Sequence, residues 1–153
     1  MSSLFFDTSG LAKRYMPEQG TAWVRQQTAS SANNTIFIAQ ITPVELYSAI
    51  SRQYHDGHID LPRLQAFRRL FERHLQAQYL TLTLSSGILT MALDLQESYR
   101  LRAYDAVQLA SAQALQARLT SAGQSLTFIS ADKRLLQSAL AVGLATDNPD
   151  NHT

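Results

Sequence analysis

The chain alternates short apolar runs with longer stretches in which apolar residues recur every three or four positions. Short apolar runs bounded by turn residues are typical of buried strands, and the three-to-four spacing is typical of amphipathic helices. The pattern predicts strands at 4–6, 36–39, 79–82 and 126–129, with a final edge strand at 143–146. It predicts helices, counted with their caps, at 9–15, 21–28, 42–54, 62–76, 85–99, 103–121 and 132–141.

Turn and capping residues set several of these boundaries. Thr42 is expected to cap the third helix with Pro43 at its first position, and Ser85 is expected to cap the fifth. Gly123 ends the long Ala-rich helix, and the polar stretch 30–34 has the composition of a loop.

Strands that alternate with helices predict a parallel sheet covered on both faces. We therefore expect an α/β protein, a three-layer α/β/α sandwich with a central parallel sheet of four to five strands. Residues 1–146 are expected to form a single domain, followed by a polar tail at 147–153 that frays. The chain has no internal repeat and no low-complexity tract.

Composition narrows the classes of function. The chain has 153 residues, of which 45% are hydrophobic and 16% are charged, which is typical of a folded globular domain. A net charge of +1 argues against long non-specific tracking along nucleic acid. Most of the 13 basic residues are arginines, whose planar fork suits specific contacts with phosphate or carboxylate.

Several kinds of chemistry and location are excluded or disfavoured. The absence of cysteine excludes disulfides, thiolate catalysis and zinc–thiolate sites. No apolar run approaches the ~18 residues of a membrane span. The first seven residues lack the basic and apolar regions of a signal peptide, so a cytoplasmic location is expected.

Four separated acidic residues stand where strands hand over to helices or where helices begin. They are Asp7, Glu45, Asp105 and Asp132, each set in an apolar context where a charge is costly unless it is paired or holds a metal. Functional residues of parallel α/β sheets gather at the carboxyl ends of the strands. Carboxylates that converge there suit a hard divalent cation, which points to metal-assisted phosphodiester chemistry.

Each of the four acids also has a purely structural explanation. Asp7 can form an Asx turn or cap a helix, and Asp105 is favoured by the positive end of its helix. Glu45 completes the Thr-x-x-Glu pattern of a capping box, which taken alone is the favoured explanation. Asp132 is a first-turn acid behind Ser130, a candidate cap. The joint pattern is stronger than any single acid.

Like charges packed together raise one another's pKa and weaken the fold without metal. Bound Mg²⁺ or Mn²⁺ would relieve this repulsion and stabilise the folded state.

Four segments of the chain resemble the PIN-domain family, and more narrowly the toxin half of VapBC-type bacterial toxin–antitoxin pairs. They occur in the family's order and spacing across nearly the whole chain. The segments are Phe6-Asp7-Thr8-Ser9-Gly10-Leu11-Ala12-Lys13-Arg14-Tyr15, Thr42-Pro43-Val44-Glu45-Leu46, Leu101-Arg102-Ala103-Tyr104-Asp105-Ala106-Val107-Gln108-Leu109-Ala110 and Phe128-Ile129-Ser130-Ala131-Asp132-Lys133-Arg134-Leu135.

The resemblance implies an endoribonuclease that cuts single-stranded or looped RNA with a metal-activated water and leaves a 5′-phosphate. It assigns Asp7, Glu45, Asp105 and Asp132 to the family's acidic quartet, which would hold Mg²⁺ or Mn²⁺ and carry catalysis. Ser9 and Ser130 match the family's small polar residues near the first and last acids. As supporting residues, this pair would orient carboxylates or waters.

The resemblance also implies partners. It implies a homodimer and a cognate VapB-type antitoxin whose helix lies in an apolar groove. Lys13 and Arg14, just beyond Asp7, are candidate contacts for RNA phosphate, although a solvated surface explains them equally well.

Two other interpretations remain open at this point. The first is a non-catalytic PIN-like module that binds RNA or protein. The second is a phosphoryl-accepting domain with Asp7 as nucleophile. Phosphatases of that type need a second aspartate two positions later, where this chain has Ser9, so the second interpretation is disfavoured.

Overall fold

A five-stranded parallel sheet forms the centre of the molecule. The computed structural model describes all 153 residues, and its strand order is β3-β2-β1-β4-β5. Every neighbouring pair is parallel. The predicted fold class is confirmed. The strands are β1 (Ser3–Phe6), β2 (Thr35–Ala39), β3 (Tyr79–Leu82), β4 (Leu126–Ile129) and β5 (Ala145–Asp147).

Seven helices cover the two faces of the sheet. None of them is long and apolar enough to span a membrane. Of two short 3-10 turns, Ser30–Ala32 lies between α2 and β2, and Pro149–Asn151 follows β5. The helices are α1 (Thr8–Ala12), α2 (Thr21–Thr28), α3 (Thr42–His55), α4 (Leu61–Ala77), α5 (Ser86–Ser98), α6 (Ala103–Ser121) and α7 (Lys133–Ala141).

The central strand β1 contributes to two separate cores. Because successive strand residues point to opposite faces, Phe5 packs with α5, α6 and α7, while Leu4 and Phe6 pack with α1 to α4. The Phe5 ring stacks on Phe128 of β4 with ring centroids 5.7 Å apart. An apolar side chain is therefore needed at every position of β1 after Ser3, which explains the continuous apolar run in the sequence.

Helix α1 is shorter than predicted, since it ends at Ala12 and not at residue 15. The chain after it continues as turns, with the Arg14 N–H donating to Leu11 and the Tyr15 N–H donating to Ala12. Such three-residue hydrogen bonds are usual where a helix tightens at its end. Pro17 lacks an N–H and prevents the helix from resuming.

The predicted cap at Thr42 is wrong. Ile41 precedes the first residue of α3, and no side-chain hydrogen bond caps this helix. The Thr42 side chain is completely buried, and its hydroxyl accepts a hydrogen bond from Gln108 of α6. The hydroxyl therefore joins two helices. The cap at Ser85 is present, since its Oγ accepts from the Ile88 N–H at 3.2 Å.

Residues 147–153 were expected to fray, but they pack against the rest of the molecule. Asn148 is buried, and the Asp150 carboxylate lies 2.6 Å from the Lys13 ammonium. The His152 ring stacks on Trp23 of α2 with centroids 4.2 Å apart. These partners lie more than 100 residues away in the sequence, so local composition does not reveal them.

Substitution of Gly10 tests how closely α1 approaches β4. A Cβ at Gly10 would lie 2.9 Å from the backbone oxygen of Ile129 and 3.3 Å from Oδ1 of Asp7. Because a strand backbone cannot move aside freely, we expect Gly10→Ala to lower the free energy of unfolding by about 1–3 kcal/mol. Denaturant unfolding measures this change.

Gly87→Ala on α5 is the matched control. Its Cβ would meet only the Ser85 Oγ, at 3.8 Å. We expect no loss of stability, or a gain of up to about 1 kcal/mol from helix propensity. A Gly10→Ala protein as stable as wild type would contradict the close approach.

Candidate metal centre at the carboxyl ends of the strands

Asp7 follows the central strand directly and is 3% exposed. Its backbone N–H donates to the carbonyl of Ile129 at the end of β4. Its Oδ1 accepts from the Gly10 N–H at 2.8 Å and so caps α1. The structural explanation of Asp7 as a helix cap is therefore correct. A five-residue helix, however, gains too little from a cap to account for a buried charge.

Two serine hydroxyls complete the surroundings of the Asp7 carboxylate. The Ser9 Oγ lies 2.9 Å from both carboxylate oxygens, and the Ser130 Oγ donates to Oδ2 at 2.7 Å. The same hydroxyl oxygens accept backbone N–H groups, Ser9 from Ala131 and Ser130 from Asp132, each at 3.0 Å. This network ties the end of β1 to the end of β4 and fixes the carboxylate in one orientation.

Burial raises the pKa of Asp7 from 3.8 to about 7. Hydrogen bonds from Gly10, Ser130 and Ser9 lower the pKa, and the charge of Asp105 raises it further. The hydrogen bonds therefore do not offset the cost of removing this carboxylate from water. A bound proton or a bound cation would offset this cost.

Glu45 lies half-buried on the first turn of α3. The Gln108 amide Nε2 donates to its Oε1 at 2.8 Å. Burial raises the pKa of Glu45, hydrogen bonds from Gln108 and Thr8 lower it, and the charge of Asp105 raises it. Because the Thr42 hydroxyl does not cap this helix, the capping-box explanation of Glu45 fails.

Gln108 was not among the predicted site residues. It is 1% exposed and lies on α6 three residues after Asp105, on the same face of the helix. Its Nε2 is within hydrogen-bond distance of Glu45 and of the Thr42 and Thr8 hydroxyls, while its Oε1 is buried without a partner. The sequence does contain a signal for Gln108, because it is a long polar residue inside an otherwise apolar run of α6.

Asp105 and Asp132 complete the acidic set. Asp105 is half-buried on the first turn of α6, where burial and the charge of Asp132 raise its pKa and the charge of Arg102 lowers it. Asp132 itself caps α7, because its Oδ1 accepts the N–H groups of Arg134 and Leu135. The alternative in which Ser130 caps this helix is wrong, since the Ser130 hydroxyl is directed to Asp7.

The four acids influence one another but do not surround a single point. Asp105 raises the pKa of both Asp7 and Glu45, and Asp132 raises that of Asp105. No group of three or more histidine, aspartate or glutamate side chains is arranged to hold a metal ion. Mg²⁺ typically binds one or two carboxylates together with waters and substrate phosphate. Because one or two carboxylates are enough, the carboxylate oxygens at the carboxyl ends of these strands fit a hard cation.

Lys13 and Arg14 do not fit the expected contact with RNA. Lys13 is buried, and its Nζ lies 2.6 Å from Asp150 and 3.5 Å from Glu18. The Arg14 guanidinium donates to the hydroxyl of Tyr79 at 2.6 Å. Tyr79 is the first residue of β3, so Arg14 lies toward the amino ends of the strands, whereas the acids lie at the carboxyl ends.

Two comparisons place the chain among known proteins. A family model of the PIN domain matches residues 4–139. The crystal structure of PAE2754 from Pyrobaculum aerophilum is similar, with a TM-score of 0.64, 19% sequence identity, and coverage of 98% of this chain and 85% of that one. At this identity the likeness shows the fold alone. No curated protein matches the chain.

The stability of the metal-free protein is expected to depend on pH through Asp7. Its pKa rises from 3.8 to about 7 on folding, so the folded state keeps a proton that the unfolded chain releases between those values. The contribution of Asp7 to the free energy of unfolding is therefore greatest below about pH 4, falls by up to roughly 4 kcal/mol as pH rises to about 7, and then levels off.

Asp7→Asn is expected to remove most of this dependence, because the amide does not titrate. Denaturant unfolding in metal-free buffer across this pH range measures it. Asp94→Asn, at an exposed position on α5, is the matched control and should keep the wild-type profile. Identical profiles for wild type and Asp7→Asn would contradict the raised pKa.

Proposed function

The chain belongs to the PIN-domain family, and we propose that it is a metal-dependent endoribonuclease that hydrolyses RNA phosphodiester bonds. PIN domains are generally nucleases and generally use divalent metals. The observation that carries the proposal is the buried Asp7 carboxylate, whose hydrogen bonds do not offset the cost of its charge. A bound cation would offset it.

Asp7, Glu45 and Asp105 would hold Mg²⁺ or Mn²⁺, directly or through water, and Asp132 would complete the shell or a second metal position. When bound, the cation supplies positive charge at the scissile phosphate and acidifies the attacking water. The residues around the acids position them. Ser9 and Ser130 hold the Asp7 carboxylate, and the buried amide of Gln108 holds Glu45.

We further propose that the protein is the toxin of a type II, VapBC-type toxin–antitoxin pair. It would act in the cytoplasm as a homodimer and be inhibited by a VapB-type antitoxin. The motif resemblance supports this, and so does a cavity of about 470 Å³ between the segment that follows α1 and helices α3 and α4, in which five of the nine lining residues are hydrophobic. An apolar helix face could occupy such a cavity. Its apolar lining includes Tyr15, Met16, Ile50, Ile59 and Phe67.

A non-catalytic PIN-like binding module is the second candidate. It is favoured by one observation, that no three acidic side chains are gathered around one ion position. It is disfavoured by Asp7, because a module without metal or turnover would bear the cost of a buried carboxylate without benefit.

Cleavage of total cellular RNA by the purified chain tests the proposal. With Mg²⁺ or Mn²⁺ we expect new 5′-phosphate ends, and with EDTA none. Asp105→Asn removes a metal ligand and should lower the cleavage rate by roughly 10- to 100-fold or more. Asp94→Asn is the control and should cleave as wild type does. Cleavage that persists in EDTA, or an unchanged rate for Asp105→Asn, would contradict the assignment.

A further inference from the structure

A cavity of about 510 Å³ opens beside Glu45. One wall is a face of α3, and the other is formed by residues that follow β2 and β3 and by the start of α6. The cavity is also lined by five exposed side chains that the proposed catalytic arrangement does not use. They are Gln40, Val44, Ser48, Arg52 and Tyr104.

The α3 wall carries an unpaired cation. Val44, Ser48 and Arg52 are spaced four residues apart, so they form one row along the helix. Arg52 is exposed, and no ion pair of the structure includes it. It lies about 10 Å along the helix axis from Glu45. At that distance from Glu45, the planar guanidinium of Arg52 is suited to bind a phosphate group that neighbours the scissile phosphate.

An exposed aromatic ring stands next to the acids. Tyr104 is 63% exposed and directly precedes Asp105 on the first turn of α6. Because most of the ring faces solvent, core packing does not explain it. Bases of single-stranded nucleic acid stack on such rings with little dependence on sequence.

Gln40 adds a polar group fixed in place. Its Oε1 accepts the Leu84 N–H at 2.7 Å, which orients the amide. The amide NH₂ group has no partner within the protein, so it can donate to an acceptor on a base edge.

We propose that this cavity binds one nucleotide of single-stranded RNA beside the scissile phosphate, with the base stacked on Tyr104 and a phosphate bound by Arg52. The strand is single because a base inside a duplex is not free to stack on a side chain. The inference rests on the proposed ribonuclease function for its role in catalysis. Binding itself is measured without cleavage.

Fluorescence anisotropy in EDTA tests the stacking contact, with a labelled single-stranded RNA of about 12 nucleotides and mixed sequence as the probe. Tyr104→Ala should weaken binding by about 5- to 150-fold. Tyr104→Phe keeps the aromatic face and should restore wild-type affinity. Neither change should alter the salt dependence, because neither removes a charge.

The salt dependence of the same binding tests Arg52. Arg52→Gln should reduce the slope of log Kd against log salt concentration by about 0.7, the value for one phosphate contact on a single strand. Arg118→Gln is the matched control, because Arg118 is exposed near the opposite end of α6. It should leave both the affinity and the slope unchanged.

Two results would overturn the nucleotide site. One is wild-type affinity in both Tyr104→Ala and Arg52→Gln, and the other is conversion of a dimer into a monomer by either change, measured by light scattering. The second result would make the cavity an interface between copies of the chain. If the wild-type protein binds RNA through Tyr104 but does not cleave it with Mn²⁺, the nucleotide site stands and the nuclease proposal fails.

Discussion

Burial of the Asp7 carboxylate at the end of the central strand is the constraint on which the rest of the site depends. The carboxylate accepts hydrogen bonds from Gly10, Ser9 and Ser130, yet burial still raises its pKa to about 7. Folding therefore creates a position that favours a proton or a cation over a bare charge. The glycine at position 10 belongs to the same constraint, since a side chain there would collide with the backbone of β4.

The elements around Asp7 are joined by the hydrogen bonds that orient it. Ser130 connects the carboxylate to the start of the loop before α7, and its own N–H donates to Asp147 at the end of β5. On the other side, α6 carries Asp105 and Gln108 one turn apart, and Gln108 reaches Glu45 on α3. The acids thus lie on elements whose relative positions are set by the packed core. Their mutual repulsion lowers the stability of the metal-free protein.

The sheet and most helices could be predicted from the sequence because their signals are local. A continuous apolar run such as Leu4 to Phe6 has to be buried on both faces, and the Ala-rich stretch 103–121, which contains no glycine or proline, favours a long helix. The four acids could be found for a similar reason, since each interrupts an apolar context. Whether they hold a metal stays a prediction.

The details that the sequence did not reveal depend on partners far along the chain. The Thr42 hydroxyl meets Gln108, and Ser130 meets Asp7, so neither serves as the helix cap that its local pattern predicts. Lys13 has the sequence context of a surface residue, yet Asp150 holds it in the interior. Side-chain oxygens and cations have several local options, and tertiary packing selects among them.

Thermal unfolding at neutral pH with increasing Mn²⁺ tests most directly whether the buried carboxylate is a cation site. A ligand that binds only the folded state at 100 times its Kd stabilises it by about 2.7 kcal/mol. We therefore expect the Tm of the wild-type protein to rise steadily with Mn²⁺. Asp7→Asn should remain folded but lose this rise. The same rise in both proteins, or none in the wild type, would contradict the account.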